Sequence, residues 1–336
     1  MKKVITMFFL FVNIFILIGC GKAPVISGLS DYYIVYEGET SEPIFFKITG
    51  APEHHVDIQS LSLNLEIKDN KLIGLEAGPA EVLVRVRNSN IKLTIPVYIL
   101  SPYNYIYHSN GVTISKYLGS ENETLVIPEK VYVSGENGYE YKTVIGISDY
   151  FYEENELEFK SITLPKTIES IGKYAFANND TLEEVVIPSN IKLTEFSEGV
   201  FSNLSNLTTI YIPNKLLYIS ENALKDTPVT NFIIEDNDFY KYNNNLLINY
   251  NTSLDKGIII YANPLSSEFV VPDDVELINS QVFLNHKNIK SIDLKNVKFI
   301  GMEAFKNSTL ETFNSNYDFD FEKDAFLNTP YYNNLG

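Results

Sequence analysis

Leu182-Glu-Glu-Val185-Val186-Ile187-Pro188, followed by Ile191, Phe196 and Phe201, decides the architecture, because the same phrase returns along most of the chain. The copy before it runs Leu157-Glu-Phe-Lys-Ser-Ile162-Thr-Leu164-Pro165, then Ile168, Ile171-Gly172 and Tyr174-Ala175-Phe176. The copy after it holds Leu207, Ile210, Ile212, Pro213, Leu217, Ile219, Ala223 and Leu224. A fixed short period, here about two dozen residues, marks a solenoid of stacked units, none of which buries its apolar face alone. Function is then to be sought on an extended surface, not in a pocket. Within one unit, Val185 and Ile187 point to one side of a strand and Glu184 and Val186 to the other. Pro188 ends the pairing, having no N–H to donate. Ile191 and Phe196 supply a second apolar rung. The aromatic position, Phe176, Phe201, Phe283, Phe305 or Phe326, closes the core from the opposite wall, with Ala175, Ala304 and Ala325 small beside it so that neighbouring turns can approach. The outward positions Thr163, Val186 and Tyr211 form a face on which a partner would bind.

The array opens after Ser101-Pro102, with Gly111-Val-Thr113-Ile114-Ser-Lys116-Tyr117-Leu-Gly119, Leu125-Val-Ile127-Pro128, and Val144-Ile-Gly146-Ile147 ahead of Tyr150-Phe151. These motifs resemble the BspA-type leucine-rich repeats of bacterial surface antigens, in which a unit reads Leu-x-x-Ile-x-Ile-Pro, a variable Val or Ile, then Ile-Gly-x-x-Ala-Phe. The resemblance runs from Tyr105 to Leu335. It implies a mainly β leucine-rich-repeat solenoid over residues 101–336, with short helical or 3-10 segments, and a role in adhesion or antigen display. Departures from the pattern mark relaxed geometry: Ile219-Ser220 and Ala223-Leu224 stand for Ile-Gly and Ala-Phe, and Val297 is expected at the place of a strand-ending proline. From Glu235 to Phe269 the period breaks. Phe239-Tyr240-Lys-Tyr242, Leu246-Leu247-Ile248-Asn-Tyr250, a polar turn through Asn251 and Asp255, and Ile258-Ile259-Ile260-Tyr261 read as a hairpin inserted in a repeat. The array resumes at Val270-Val271-Pro272. Asn328-Thr329-Pro330-Tyr331-Tyr332 resembles the close of such arrays and predicts a C-terminal cap at about residues 327–336.

At the other end, Lys2 and Lys3 precede an apolar run from Val4 to Ile18 broken only by Asn13. It falls short of the roughly 20 apolar residues of a spanning helix and reads as a signal peptide. Leu17-Ile18-Gly19-Cys20 resembles the lipobox of bacterial lipoproteins. The resemblance implies removal of residues 1–19, acylation of Cys20, and a tether over residues 20–26. At about 0.8 kcal/mol per buried methylene, two or more acyl chains anchor stably in membrane lipid. An uncleaved anchor helix is the alternative, and either way the remainder lies outside the cytoplasmic membrane, facing the outside of the cell. Cys20 is the single cysteine, so repeat stacking has to supply the stability that disulfides give many secreted domains. Acidic residues outnumber basic ones 43 to 26, a net charge of −17, and no basic stripe is visible. Nucleic acid is excluded as a partner, since its binding rests on Lys and Arg against phosphates.

Residues 27–100 have another character: short alternating strands at Tyr32–Tyr36, Ile44–Ile48, Leu61–Ile67, Val82–Val86 and Ile91–Val97, punctuated by turn signals at Asp69-Asn70, Gly78-Pro79 and Asn88-Ser89-Asn90. Regular strand spacing argues a β-sandwich. The stretch from Leu72 to Val84 resembles the signature of bacterial immunoglobulin-like domains. An Ig-like spacer that holds the repeats off the membrane is the role this implies.

No phosphate loop, His-Glu-x-x-His, Gly-x-Ser-x-Gly or cysteine pair is present, and four histidines are available. The chain therefore reads as no enzyme, with no cofactor. His54 and His55 lie beside Glu53 and Asp57, but adjacent strand histidines face opposite sides, which favours a solvated loop over a metal site. Asp236, Asn237 and Asp238, or Asp318, Asp320 and Asp324, offer oxygen ligands without a calcium-loop spacing and read as polar turns. Tyr240, Tyr242, Tyr250 and Tyr261 gather around the insertion. Exposed tyrosines suit recognition, whereas tyrosines alternating with isoleucine cover a hairpin's own core, and the packing role is favoured. Two functions compete: a surface lipoprotein whose repeat face binds an extracellular protein, and a carbohydrate-binding or enzyme-accessory lipoprotein that uses those tyrosines on a glycan.

Overall fold

The computed structural model describes residues 24–50, 52, 55–119, 123–135, 138–153, 159–220, 222–251 and 256–333. The signal-peptide and lipobox readings, Cys20 included, and His54 lie outside them. The described chain is mainly β, with one short helix, Pro330–Asn333. It divides into two compact units. The first runs to Asn104 and adds Tyr117–Ser120 and Lys130–Thr143; the second comprises Tyr105–Lys116, Glu121–Glu129 and everything from Val144 onward.

In the first unit the strand Gly78–Val86 alternates, burying Ala80, Val82, Val84 and Val86 while Glu81 and Arg85 face water. It pairs antiparallel with Lys92–Leu100 on one side and Val56–Ser60 on the other, and Tyr33–Tyr36 joins Lys92–Leu100 in parallel. The core gathers Val35, Leu72, Val82, Val84, Val97 and Ile99. Asp69 and Asn70, both at positive φ, close the hairpin of Leu65–Lys68 and Lys71–Gly74, as a two-residue turn requires. Three expectations change. Gly78-Pro79 begins a strand instead of turning, because a proline is tolerated at a strand's first residues. The segment expected at 61–67 is a turn up to Asn64, and the one at 44–48 shrinks to Lys47–Thr49. The unit also holds a hairpin from later in the chain, Lys130–Gly135 against the first part of Gly138–Ile147. Tyr132 N–H donates to Ser101 Oγ at 3.0 Å, and Tyr139 stacks on Tyr98 at 4.0 Å.

The second unit is built from ladders of parallel strands. Thr124–Val126, Ser161–Thr163 and Glu184–Val186 pair so that Leu125, Ile162 and Val185 stand in one buried row. Thr209–Ile212 pairs with Asn231–Ile234, and Glu268–Val270, Ser291–Asp293 and Thr312–Asn314 repeat the arrangement later. A second side carries the rungs Glu195–Phe196 with Tyr218–Ile219, and Val275–Ile278, Phe299–Ile300 and Asp320–Phe321. Gly301 is needed there, since a Cβ would fall 2.6 Å from Ser280 N of the neighbouring turn.

The third side is made of turns, where the resemblance implied short helical segments. Each turn places left-handed residues two before and two after its aromatic: Tyr174 and Asn178, Gly199 and Asn203, Gln281 and Asn285, Glu303 and Asn307, Asp324 and Asn328. A left-handed residue at both positions breaks the helical run. Consecutive turns are tied by backbone bonds, Phe176 N–H to Val200 O at 3.2 Å and Phe305 N–H to Ala325 O at 2.7 Å among them. Inside, Phe305 lies parallel to Phe283 at 4.7 Å and to Phe326 at 5.3 Å. Ion pairs such as Lys192–Glu169 and Lys298–Glu276 join neighbouring units on the exposed surface, each contributing about 0–1 kcal/mol. The apolar stack therefore carries the stability. Val297 is fully buried, and Lys295, at positive φ, holds the proline's place; that unit is one residue shorter between rung and rung.

The insertion is a three-stranded meander, not a hairpin. Tyr240–Asn243 and Leu246–Asn249 turn through Asn244-Asn245, both at positive φ, and Gly257–Ala262 then pairs with Leu246–Asn249. Gly257–Ala262 also pairs in parallel with Val275–Ile278, so the third strand serves as a rung of the array.

Candidate functional site

The outward strand positions come together as a column. Val126, Thr163 and Val186 are partners in register, and Tyr211 is paired with Ile233 in the next ladder. Val126 is 59% exposed and the others are half-buried. The column carries no charge on a chain of net −17, whereas the corresponding positions later in the array are Val270, Asp293 and Asn314.

The four tyrosines of the insertion do not form one cluster: Tyr242 and Tyr261 flank Phe232, while Tyr240 and Tyr250 are engaged elsewhere. Tyr240 is 1% exposed, so its ring is not available to a ligand, and its hydroxyl donates to Leu217 O at 3.2 Å. Tyr261 donates to Thr227 O at 2.7 Å, and Tyr242 donates to Thr230 O at 3.0 Å beside Phe232. Tyr250 donates to Asp274 Oδ1 at 3.1 Å and has Lys241 Nζ 4.5 Å from its ring. Burial raises the pKa of all four, and burial with Asp274 as acceptor pushes Tyr250 up to about 12. Asn237 explains why the meander starts where it does. Its Nδ2 donates to Pro213 O and Leu216 O, and its Oδ1 accepts from Phe239 and Tyr240 N–H. An amide so engaged is a clamp for the backbone, and the polar run around it is a structural turn. Asp57 is likewise engaged, by Arg85 at 3.1 Å and Arg87 at 2.6 Å.

A model of the BspA-type leucine-rich repeat region matches six copies over residues 140–254 and 234–333, more than half of the chain. The chain belongs to the BspA-type leucine-rich repeat family. Among solved structures it is similar to the pneumococcal vaccine antigen PcpA, at 19% identity over 70% of each chain with a TM-score of 0.47. A leucine-rich cell surface protein of Faecalibacterium prausnitzii shares 20% identity over 63% of this chain and 74% of that one, with a TM-score of 0.33. A leucine-rich repeat protein of T. pallidum shares 16% over 61% and 86%, with a TM-score of 0.36. None of the curated proteins matches.

Two features of these BspA-type repeats were not anticipated from sequence. The first is an asparagine ladder: Asn203 Nδ2 donates to Asn178 Oδ1 at 2.9 Å, Asn307 to Asn285 at 3.1 Å and Asn328 to Asn307 at 2.8 Å. The signal was an Asn two places after each aromatic, the residue type that best tolerates the left-handed conformation. The second is a buried polar residue three places after the aromatic, or after Leu224 in its place: Asn179, Thr227, His286, Ser308 and Thr329. His286 Nε2 donates to Asn263 O at 3.0 Å while Nδ1 accepts from Ile289 N–H at 3.1 Å, which fixes a neutral ring. Burial accordingly lowers its pKa below the ordinary value. Between that lowered pKa and about 6.5 the unfolded chain binds more protons than the native one, so the stability due to this ring is full above about pH 6.5 and declines as pH falls. His286→Asn, the residue at position 179, is expected to flatten the drop in Tm between pH 7.5 and 5. An unchanged slope in thermal melts would show that other groups set it.

Proposed function

We propose that this protein is a non-catalytic surface lipoprotein that presents a leucine-rich-repeat solenoid to an extracellular protein partner, with the Ig-like region of residues 27–100 as spacer and acylated Cys20 as anchor. The observation that carries this reading is the uncharged outward column of Val126, Thr163, Val186, Tyr211 and Ile233. Protein interfaces deplete charge at their centre and favour aromatic and apolar contact, and a rigid ladder presents such contact without an ordering cost. Membership of the repeat family and the lipobox-like Leu17-Ile18-Gly19-Cys20 support display outside the cell. Against the glycan-binding alternative, stacking on a sugar needs a free ring face, which the buried Tyr240 does not offer.

The test is a binding screen of the full chain against extracellular matrix proteins and glycans, repeated with the double substitution Thr163→Glu and Val186→Glu. Both side chains point outward, so the fold is kept, and the like charges side by side on neighbouring strands should cost about 1 kcal/mol. Protein binding is expected to weaken at least tenfold. Glycan binding indifferent to the double substitution would favour the other function. In cells, Cys20→Ser should move the protein from the membrane fraction to the soluble one; retention in the membrane would remove the lipid anchor from this reading.

A further inference from the structure

The third side of the array lacks one turn. Between the turn carrying Ala223-Leu224 and the one carrying Val282-Phe283, the chain supplies the strand Asn231–Ile234 and the meander, then proceeds directly to Glu268–Val270. The place of the missing turn is a cleft of about 570 Å³, with Leu224, Asp226 and Thr227 on one wall and Val282, Leu284 and Asn285 on the other. Its floor is Leu247, Ile260, Tyr261 and Ala262.

The walls are unlike ordinary surface because of how the turns are bonded. In other turns of the stack, the N–H groups of the aromatic and of the residues two before and two after it donate to carbonyls of the following turn. Tyr174, Phe176 and Asn178 donate to Glu198, Val200 and Ser202, and Gln281, Phe283 and Asn285 donate to Met302, Ala304 and Lys306. At the cleft, the equivalent donors are Asn222, Leu224 and Asp226 N–H, and the equivalent acceptors are Ser280, Val282 and Leu284 O. Among the described residues none of these six groups has a hydrogen-bond partner. Each end of the stack exposes a single row of such groups, whereas here a donor row faces an acceptor row. The asparagine ladder breaks at the same place, where Asp226 stands for Asn and Leu224 for Phe. The donor wall is held from below, since Tyr261 donates to Thr227 O and Val229 O.

We propose that this vacant turn is a peptide-binding site, in which an extended segment of a protein partner, with small side chains toward the floor, completes the backbone bonding of the array. Adding a strand to an open edge is an established route to peptide affinity. A strand spaced about 4.8 Å from its neighbours in a layer about 10 Å thick, rising about 3.3 Å per residue, takes about 160 Å³ per residue. The cleft therefore holds three or four residues, enough to engage at least two of the alternate donors from 222 to 226. Recognition through the backbone makes the site tolerant of sequence but intolerant of proline or a blocked amide. The apolar floor selects small or short branched side chains, because Tyr261 already fills the space a larger one would need.

This inference rests on the protein-binding reading above and adds a second place of contact. The probe is a displayed library of random octapeptides panned on the full chain, with enriched peptides then synthesised both plain and N-methylated at alternate amides. Plain peptides are expected to bind, to slow hydrogen exchange at Leu224 and Asp226 at least tenfold, and to lose at least tenfold in affinity on N-methylation. Val282→Trp, which fills the cleft, should have the same effect, while Thr163→Glu with Val186→Glu should have none. The N-methyl comparison is made on the wild-type chain, so it stands even if the tryptophan variant folds poorly. No enriched peptide, or peptides indifferent to N-methylation, would overturn the proposal. If in that case a protein partner still binds and is lost with the outward double substitution, the cleft alone fails and the reading of the column survives.

Discussion

Phe305→Ala is expected to destabilise the later block of repeats by about 4–5 kcal/mol and to unfold it as a unit. The ring is fully buried and lies between Phe283, at 4.7 Å and 7°, and Phe326, at 5.3 Å and 3°. Truncating a buried phenylalanine costs about 3–5 kcal/mol, and the loss of two stacked partners puts this one at the upper end of that range. That is a large share of the about 5–15 kcal/mol that a whole domain commands. In a stacked array each unit is stable chiefly through its neighbours, so the loss propagates in both directions. Urea unfolding followed by hydrogen exchange should show protection at Phe283, Phe305 and Leu327 falling together. Protection lost at Phe305 alone would mean that the units are energetically independent. Met302→Ala, in the same turn but 44% exposed, should move stability by less than about 0.5 kcal/mol.

That cooperativity was legible in the sequence because it follows from spacing. Alternation in Leu182–Pro188 gave the strand, the recurring phenylalanine gave the opposite wall, and the period gave the stacking. The third side was harder to read, because Ala-Phe-x-Asn fits a short helix as well as a turn. Only the left-handed residues at positions such as Tyr174 and Glu303 decide it, and these are residue types that give no warning. The strand's end before Val297 is hidden for its own reason: Lys295 stands at the proline's place, two residues earlier, and a lysine does not mark the end of a strand. Gly257–Ala262 was grouped into a hairpin for a related reason: Ile258-Ile259-Ile260 has no alternation, so nothing in it shows that one edge pairs with Leu246–Asn249 and the other with Val275–Ile278.

The site divides in the same way. Thr163, Val186 and Tyr211 were identified as outward because strand parity fixes them. The cleft was invisible, since it consists of a turn that is absent and of backbone groups that any residue carries. What the sequence did contain was its border: the pattern weakens at Ile219-Ser220 and at Leu224, and these three residues line the cleft.

Tyr240→Ala should destabilise the protein by about 3–5 kcal/mol, as for other large buried rings, whereas Tyr240→Phe should cost only about 1 kcal/mol for the lost bond to Leu217 O. The ring is 1% exposed, and its backbone N–H is held by Asn237 Oδ1, so truncation opens the base of the meander next to the array. This bears on how recognition is to be tested. An alanine at Tyr240 or Tyr261 would loosen the meander and its bonds to the array, and so would weaken binding of a protein and of a glycan alike without telling the two apart. The phenylalanine variants preserve the packing. If Tyr240→Phe keeps its melting temperature within a few degrees and keeps ligand binding while Tyr240→Ala loses both, the ring acts through the fold. Binding lost in Tyr240→Phe at unchanged stability would instead put its hydroxyl at a ligand, against the burial seen here.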